Sequence, residues 1–146
     1  MNFEIKVKIN RPIKDVFNYI SNLANHKDMI KANIDSKQTS EGLVQVGTTM
    51  TNVAKFMGMK MEEHFIVTEY IQNRLIAKQS APGSTFVTGD KMTLEEADDG
   101  TLLTLYVYAD LKGFLKILDR ILRRKVQKSL IDDMNRLKQD FESNRI

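Results

Sequence analysis

A chain of 146 residues with 42% hydrophobic side chains can bury a sizeable core, and its length predicts one domain over residues 1–146. The formal charge of +3 permits an anionic partner without requiring one. With no cysteine, disulfides, thiolate nucleophiles and Cys-ligated metal sites are excluded.

The stretch Met1-Asn2-Phe3-Glu4-Ile5-Lys6 has no apolar signal core. No apolar run approaches the roughly 18 residues of a membrane span. The expectation is a soluble, cytoplasmic protein. Phe3, Ile5, Val7 and Ile9 alternate with Glu4, Lys6 and Lys8, which predicts a strand with one buried face. Asn10-Arg11-Pro12 then opens a helix, with Asn10 available as a cap and Pro in the first turn. Ile13, Val16, Phe17 and Ile20 fall on one face of that helix. Ser21-Asn22 ends it and can cap a second short helix carrying Leu23, Met29 and Ile30.

From Ile34 the apolar period changes to two. Strands are predicted at Ile34–Thr39, Gly47–Phe56, Met59–Tyr70, Arg74–Ser80, Thr85–Glu95 and Thr101–Leu111. Glu41-Gly42, Met57-Gly58, Ala81-Pro82-Gly83-Ser84 and Asp98-Asp99-Gly100 supply turns between them. Such short links imply antiparallel hairpins.

A long helix is predicted from Gly113 to Glu142. Phe114, Leu118, Leu122, Val126, Leu130, Met134, Leu137 and Phe141 recur every three or four positions. Steps of four overshoot the helical repeat by about 40°, while Leu115, Ile117 and Ile121 widen the first half of the stripe. One straight helix cannot aim both halves at one core. Either it kinks near Arg124–Lys128 or its first half keeps apolar side chains uncovered.

This element order resembles the helix-grip fold of the Bet v 1-like, START-related (SRPBCC) superfamily, particularly its polyketide cyclase/dehydrase-type members. The local match runs from Ile9-Asn10-Arg11-Pro12 through Val16-Phe17 to Ser21-Asn22. Val46-Gly47-Thr48, Gly100-Thr101 and Leu137-Lys138-Gln139-Asp140-Phe141-Glu142 are similar too. The Trp often found in the second helical region is absent, with Met29 nearby. The resemblance covers the whole chain and implies an α+β fold: a curved antiparallel sheet of about seven strands around the C-terminal helix, two short helices following the first strand. It brings no shared catalytic set. It implies a cavity between sheet and long helix that holds an apolar or amphipathic molecule.

On that implication, strand phase and helix stripe place Phe56, Met61, Phe65, Met92, Leu103, Leu105, Val107, Phe114, Leu118 and Leu122 on the cavity wall. Met50, Met57 and Met59 fall in or beside the same strands, where pliable thioethers suit an irregular wall. Glu63 and Asp90 share the inward phase. Buried carboxylates are rare and usually paired. They offer a general acid/base pair or, more simply, an internal salt bridge, a strand-end position or a bulge at Gly89 that turns Asp90 outward. The two histidines, His26 and His64, have no metal-ligand spacing, and His64 is in phase with Lys60 and Glu62 on the outer face. No phosphate-binding or nucleophile-elbow motif is present.

Lys112, Lys116, Arg120, Arg123, Arg124, Lys125 and Lys128 face only Asp119 over the same span. That reads as a solvated helix face or as a face that docks transiently on an anionic membrane. Aromatic residues for nucleic-acid stacking are not interleaved. The expected function is therefore binding of a small hydrophobic ligand (lipid, polyketide-like or aromatic) for transport, sequestration or sensing. No catalytic residue, metal, cofactor or nucleic acid is expected, and the chain is expected to be a monomer or weak homodimer. A polyketide cyclase, aromatase or dehydratase stands as the enzymatic alternative, and an interaction module using the basic helix as the third.

Overall fold

The structure is a computed structural model that describes all residues from 1 to 146. Strand β1 (Asn2–Ile9) leads into helix α1 (Ile13–Ser21), a 3₁₀ turn (Leu23–Asn25) and the one-turn helix α2 (His26–Met29). Six strands follow: β2 (Asn33–Gln38), β3 (Thr49–Phe56), β4 (Met59–Ile71), β5 (Leu75–Ser80), β6 (Val87–Ala97) and β7 (Gly100–Asp110). They pair antiparallel throughout in the order β1-β7-β6-β5-β4-β3-β2. The chain ends in α3 (Phe114–Ile117) and the 24-residue α4 (Asp119–Glu142). This is the expected helix-grip fold: a curved seven-stranded sheet, a long C-terminal helix and short helices after the first strand.

Register explains which side chains face the helix. Phe3, Ile5 and Val7 lie opposite Val107, Leu105 and Leu103, and Leu94, Met92 and Asp90 continue those rows on β6. The period of two then carries one face across the sheet, because cross-strand neighbours point the same way. One glycine is required by close approach: a Cβ on Gly100 would stand 2.3 Å from the Ile9 carbonyl oxygen. Asn22 caps the 3₁₀ turn as expected, accepting from Ala24 N at 3.2 Å. Asn10 does not cap α1, whose N-cap position is Pro12 and which has no side-chain cap.

The C-terminal helix departs from expectation. It runs unbroken through Arg124–Lys128 and breaks instead at Leu118 (φ −90°, ψ 3°). Asp119 lies in the first turn of α4, where a carboxylate meets the positive end of the helix dipole. It also pairs at 3.2 Å with the Met1 ammonium, which donates to Ala109 O at 2.6 Å. Beyond the break, Leu122, Met134, Leu137 and Phe141 are buried. The apolar excess of the first half stays uncovered: Phe114 is 71% exposed, Ile117 80% and Ile121 57%.

One contiguous core of 20 residues runs across the sheet. Where β1, α1 and the second half of α4 meet it comprises Ile9, Val16, Phe17, Ile20, Leu103, Met134, Leu137 and Phe141. Polar ties reinforce it. Arg11 donates to Asp15 and to Phe141 O at 3.1 Å while its guanidinium stands 5.6 Å over the Phe141 ring. Lys138 donates to Lys8 O at 2.7 Å, and Arg136 to Met29 O at 3.0 Å. Asp133, buried, accepts from Lys31 N at 3.2 Å and pairs with Arg136 at 2.9 Å. No helix is long and apolar enough to cross a membrane.

Candidate ligand-binding site

The other end of the grip is built differently. Along the inner face, burial falls off toward the Met57-Gly58 turn and the β5–β6 loop. Phe56, Met61, Glu63, Asp90, Val107 and Leu118 are half-buried, whereas Phe65, Met92, Leu103, Leu105 and Leu122 are buried. Phe114, expected on the cavity wall, points into solvent, because α3 packs chiefly on α4 and not on the sheet. Met57 and Met59 are also exposed, at the tip of the β3–β4 hairpin, while Met50 and Met92 are buried in the core. Leu122 is buried outside the contiguous core cluster.

A cavity of about 210 Å³ opens at this end. Met61, Glu62, Glu63, His64 and Phe65 line it from β4, Ser80 and Thr88 from β5 and β6, and Gly83, Ser84, Thr85 and Phe86 from the connecting loop; of the expected wall residues only Met61, Glu63 and Phe65 border it, and no residue of the C-terminal helices does. A larger hollow of about 330 Å³ lies beside the end of α4, among Lys138, Gln139, Glu142, Ser143 and Arg145. None of these five residues is hydrophobic, which suits an apolar ligand poorly.

Glu63 and Asp90 do face inward, and the Gly89 bulge does not occur. The β6 ladder is regular, and Gly89 instead makes room for the Tyr108 ring, which a Cβ would meet at 2.5 Å. Asp90 forms an internal salt bridge with Lys78, its register partner on β5. The Lys78 ammonium is buried and stands 5.5 Å from the Phe65 ring centroid. Burial holds the Glu63 carboxyl above its usual range, with Lys78 opposing and Asp90 reinforcing the shift. Burial likewise holds Asp133 above its range, against the bonds from Lys31 N and Arg136.

The imidazole of His26 is buried too. It donates from Nε2 to Ile20 O at 2.9 Å. Burial and then the Lys78 charge lower its pKa to about 4, against smaller opposing effects from Asp90 and the Ile20 carbonyl. At neutral pH it is uncharged. His64 is on the outer surface as expected, bonded to Thr51 Oγ1 at 2.9 Å and 3.3 Å from Glu62. No group of three His, Cys, Asp or Glu side chains stands together as a metal site.

Sequence phase identified Glu63 and Asp90, but four further polar residues of the inner face went unread. Lys78 shares the phase of Ile76, and Asn52 that of Met50 and Ala54, so the same rule could have found both. Ser36 could not be found that way. The β2–β3 register shifts between Asn33 and Asp35, turning Ile34 outward while Ser36 stays in. His26 lies in a helix of one turn, too short to carry a period.

No protein-family model matches the sequence, and no curated protein matches it. Solved structures do match in shape. TTHA0849 from Thermus thermophilus superposes with a TM-score of 0.82 at 16% identity, covering 99% of each chain. A START superfamily protein from Mycobacterium smegmatis gives 0.70 at 12% identity, covering 93% of this chain and 98% of its own. The di-domain ARO/CYC StfQ from the steffimycin biosynthetic pathway gives 0.76 at 13% identity, with 99% of this chain lying on 51% of that one. Likeness at these identities is likeness of fold.

Proposed function

We propose, from the premise of a Bet v 1-like, START-related helix-grip fold, that this chain binds a small hydrophobic or amphipathic molecule at the open end of the grip. The ligand would lie between the concave sheet and the Leu118–Leu122 segment, for carriage, sequestration or sensing. The observation that carries this reading is the cavity of about 210 Å³ that Met61, Phe65 and Glu63 border at the end away from the Arg11–Phe141 ties. The similarity to a START superfamily protein and to an aromatase/cyclase domain supports it. Binding would proceed by burial, each Å² of apolar surface removed from water contributing roughly 25 cal/mol before ordering costs. Native mass spectrometry of the purified protein tests the reading. A co-purifying lipid or aromatic compound is the expected result; a protein that carries nothing and takes up no apolar probe would overturn it.

An enzymatic reading requires Glu63 or Asp90 to move a proton at a substrate. Asp90 is poorly placed for that, since one of its oxygens is engaged by Lys78. Neither carboxyl is therefore expected to act as a catalytic acid or base. Loss of turnover of a polyketide-like substrate in Glu63→Gln or Asp90→Asn, with the fold intact, would replace the carrier by a cyclase or dehydratase.

One observation favours an additional docking role. Phe114, Ile117 and Ile121 are exposed among seven basic residues between Lys112 and Lys128 whose only acidic neighbour in that span, Asp119, is held by the Met1 ammonium. Apolar side chains ringed by cations suit the surface of an anionic membrane, from which a ligand could be exchanged. Sedimentation with anionic but not zwitterionic vesicles is the expected behaviour, and equal binding to both would remove the charge argument.

A further inference from the structure

The inner face of the sheet holds polar atoms that no protein group satisfies. Ser36 on β2 and Asn52 on β3 are register partners, and Glu63 on β4 is the partner of Asn52. Ser36 and Asn52 are each only 4% exposed, and neither Ser36 Oγ nor Asn52 Oδ1 has a hydrogen-bond partner in the protein. On the central strands, Asp90 gives one oxygen to Lys78, and the other, Oδ1, is buried and unpartnered. His26 feels the charges of both Lys78 and Asp90, and so does Glu63. Helix α2 packs on β2, the strand that carries Ser36. The remaining unpartnered buried oxygen, on Asn73, lies in the β4–β5 turn, away from this face.

Buried polar atoms are ordinarily bonded, and each exception costs stability. Three lie on the inner face, none of them on the wall of the 210 Å³ cavity itself, which Glu63, the partner of Asn52, connects to them; they are polar groups that the fold does not use for itself. We propose that Ser36, Asn52 and the free oxygen of Asp90 receive the polar end of the ligand, and that this end is an uncharged hydrogen-bond donor, a hydroxyl or amide N–H, not a carboxylate. The proposal rests on the cavity reading above. Its selectivity follows from charge. Lys78 is the single Lys or Arg buried in the protein, and it is already paired with Asp90. His26 is neutral, with its Nε2–H committed to Ile20 O. Glu63 and Asp90 present carboxyl groups to the same interior. A ligand carboxylate would therefore be desolvated without a counter-ion, which is strongly unfavourable. A hydroxyl or amide would instead satisfy oxygens that have no partner.

Naphthalene, 2-naphthol and 2-naphthoate share one apolar body and differ at the head, so they separate the two claims. Binding is followed by calorimetry and by the Asn side-chain amide signals in NMR, at a pH where the naphthoate is ionised. The expected order is 2-naphthol, then naphthalene, then 2-naphthoate, with naphthol ahead of naphthalene by roughly fivefold to tenfold for a gained hydrogen bond. Asn52→Leu should abolish naphthol's advantage, leave naphthalene binding in place and raise Tm, because it removes an unpaired buried amide. Ser36→Ala should reduce the advantage through a smaller change that disturbs packing less. Naphthoate binding as tightly as naphthol, or an undiminished naphthol advantage in both variants, would overturn the proposal while leaving the cavity reading intact. Failure of naphthalene itself to bind would overturn both.

Discussion

The two ends of the grip use the same sheet and the same C-terminal helical segment, yet they solve opposite problems. At the closed end, Met134, Leu137 and Phe141 sink into Ile9, Val16, Phe17 and Ile20, and Arg11, Asp133, Arg136 and Lys138 tie α4 to backbone more than a hundred residues away in sequence. At the open end, the Met1–Asp119 pair is the one ion pair holding the start of α4, and Phe114 and Ile117 touch little but solvent. Apolar periodicity alone does not distinguish these halves, since both carry a stripe. The partners differ. One stripe meets a complementary stripe on β1 and α1, while the other leaves Phe114, Ile117 and Ile121 in solvent. A fold that gathers its stability at one end leaves the other end free to open.

The largest test of that contrast is truncation at the closed end. Leu137→Ala should cost about 2–5 kcal/mol, the range for a buried leucine that leaves a cavity, read as a lowered denaturation midpoint. A loss below about 1 kcal/mol would mean that the closed end is not the fixed one.

Acid provides the next largest effect. The folded pKa of His26, about 4, lies below its ordinary 6.5. Its contribution is therefore complete above pH 6.5 and declines as pH falls toward 4, because the unfolded chain takes up the proton first. Over that window the protein should lose about 3 kcal/mol from this group, at 1.36 kcal/mol per pKa unit. His26→Gln should flatten that part of the stability curve. Glu63 and Asp133 act in the opposite sense: their raised pKa values make them costly when ionised, and that cost is relieved as pH falls through their folded values. A stability curve that did not bend between pH 6.5 and 4, or bent equally in His26→Gln, would contradict the buried neutral imidazole.

The smallest expected effect is at the open end. Ile117→Ala and Ile121→Ala should change stability by no more than about 0.5 kcal/mol, as for exposed positions, while weakening vesicle binding or self-association. Destabilisation comparable to Leu137→Ala would show the two ends to be alike.

Much of this contrast was legible in the residues. The strands were bounded within two residues, since turn residues such as Met57-Gly58 and Asp98-Asp99-Gly100 interrupt a clean period of two. The uncovered faces of Phe114, Ile117 and Ile121 followed from the drift of the helical stripe. Of the two alternatives that the drift leaves, a kink near Arg124–Lys128 or an uncovered first half, the second is found: the helix continues through Arg124–Lys128, and the break lies before Asp119, an acid suited to a first helical turn. In the site, phase alone found Glu63 and Asp90. It could not find their electrostatic neighbours, because the Lys78–Asp90 pair depends on register between β5 and β6, and the approach of His26 depends on how α2 folds over the sheet. Such distances are tertiary, and no local pattern encodes them.

Hydrogen exchange along the C-terminal segment tests the central claim most directly. Amides from Leu130 to Phe141 should exchange only with global unfolding. Those from Phe114 to Lys125 should exchange much faster in the free protein and slow when an apolar ligand such as 2-naphthol is added. Equal protection from Phe114 to Phe141, unchanged by ligand, would contradict a grip that is fixed at one end and open at the other.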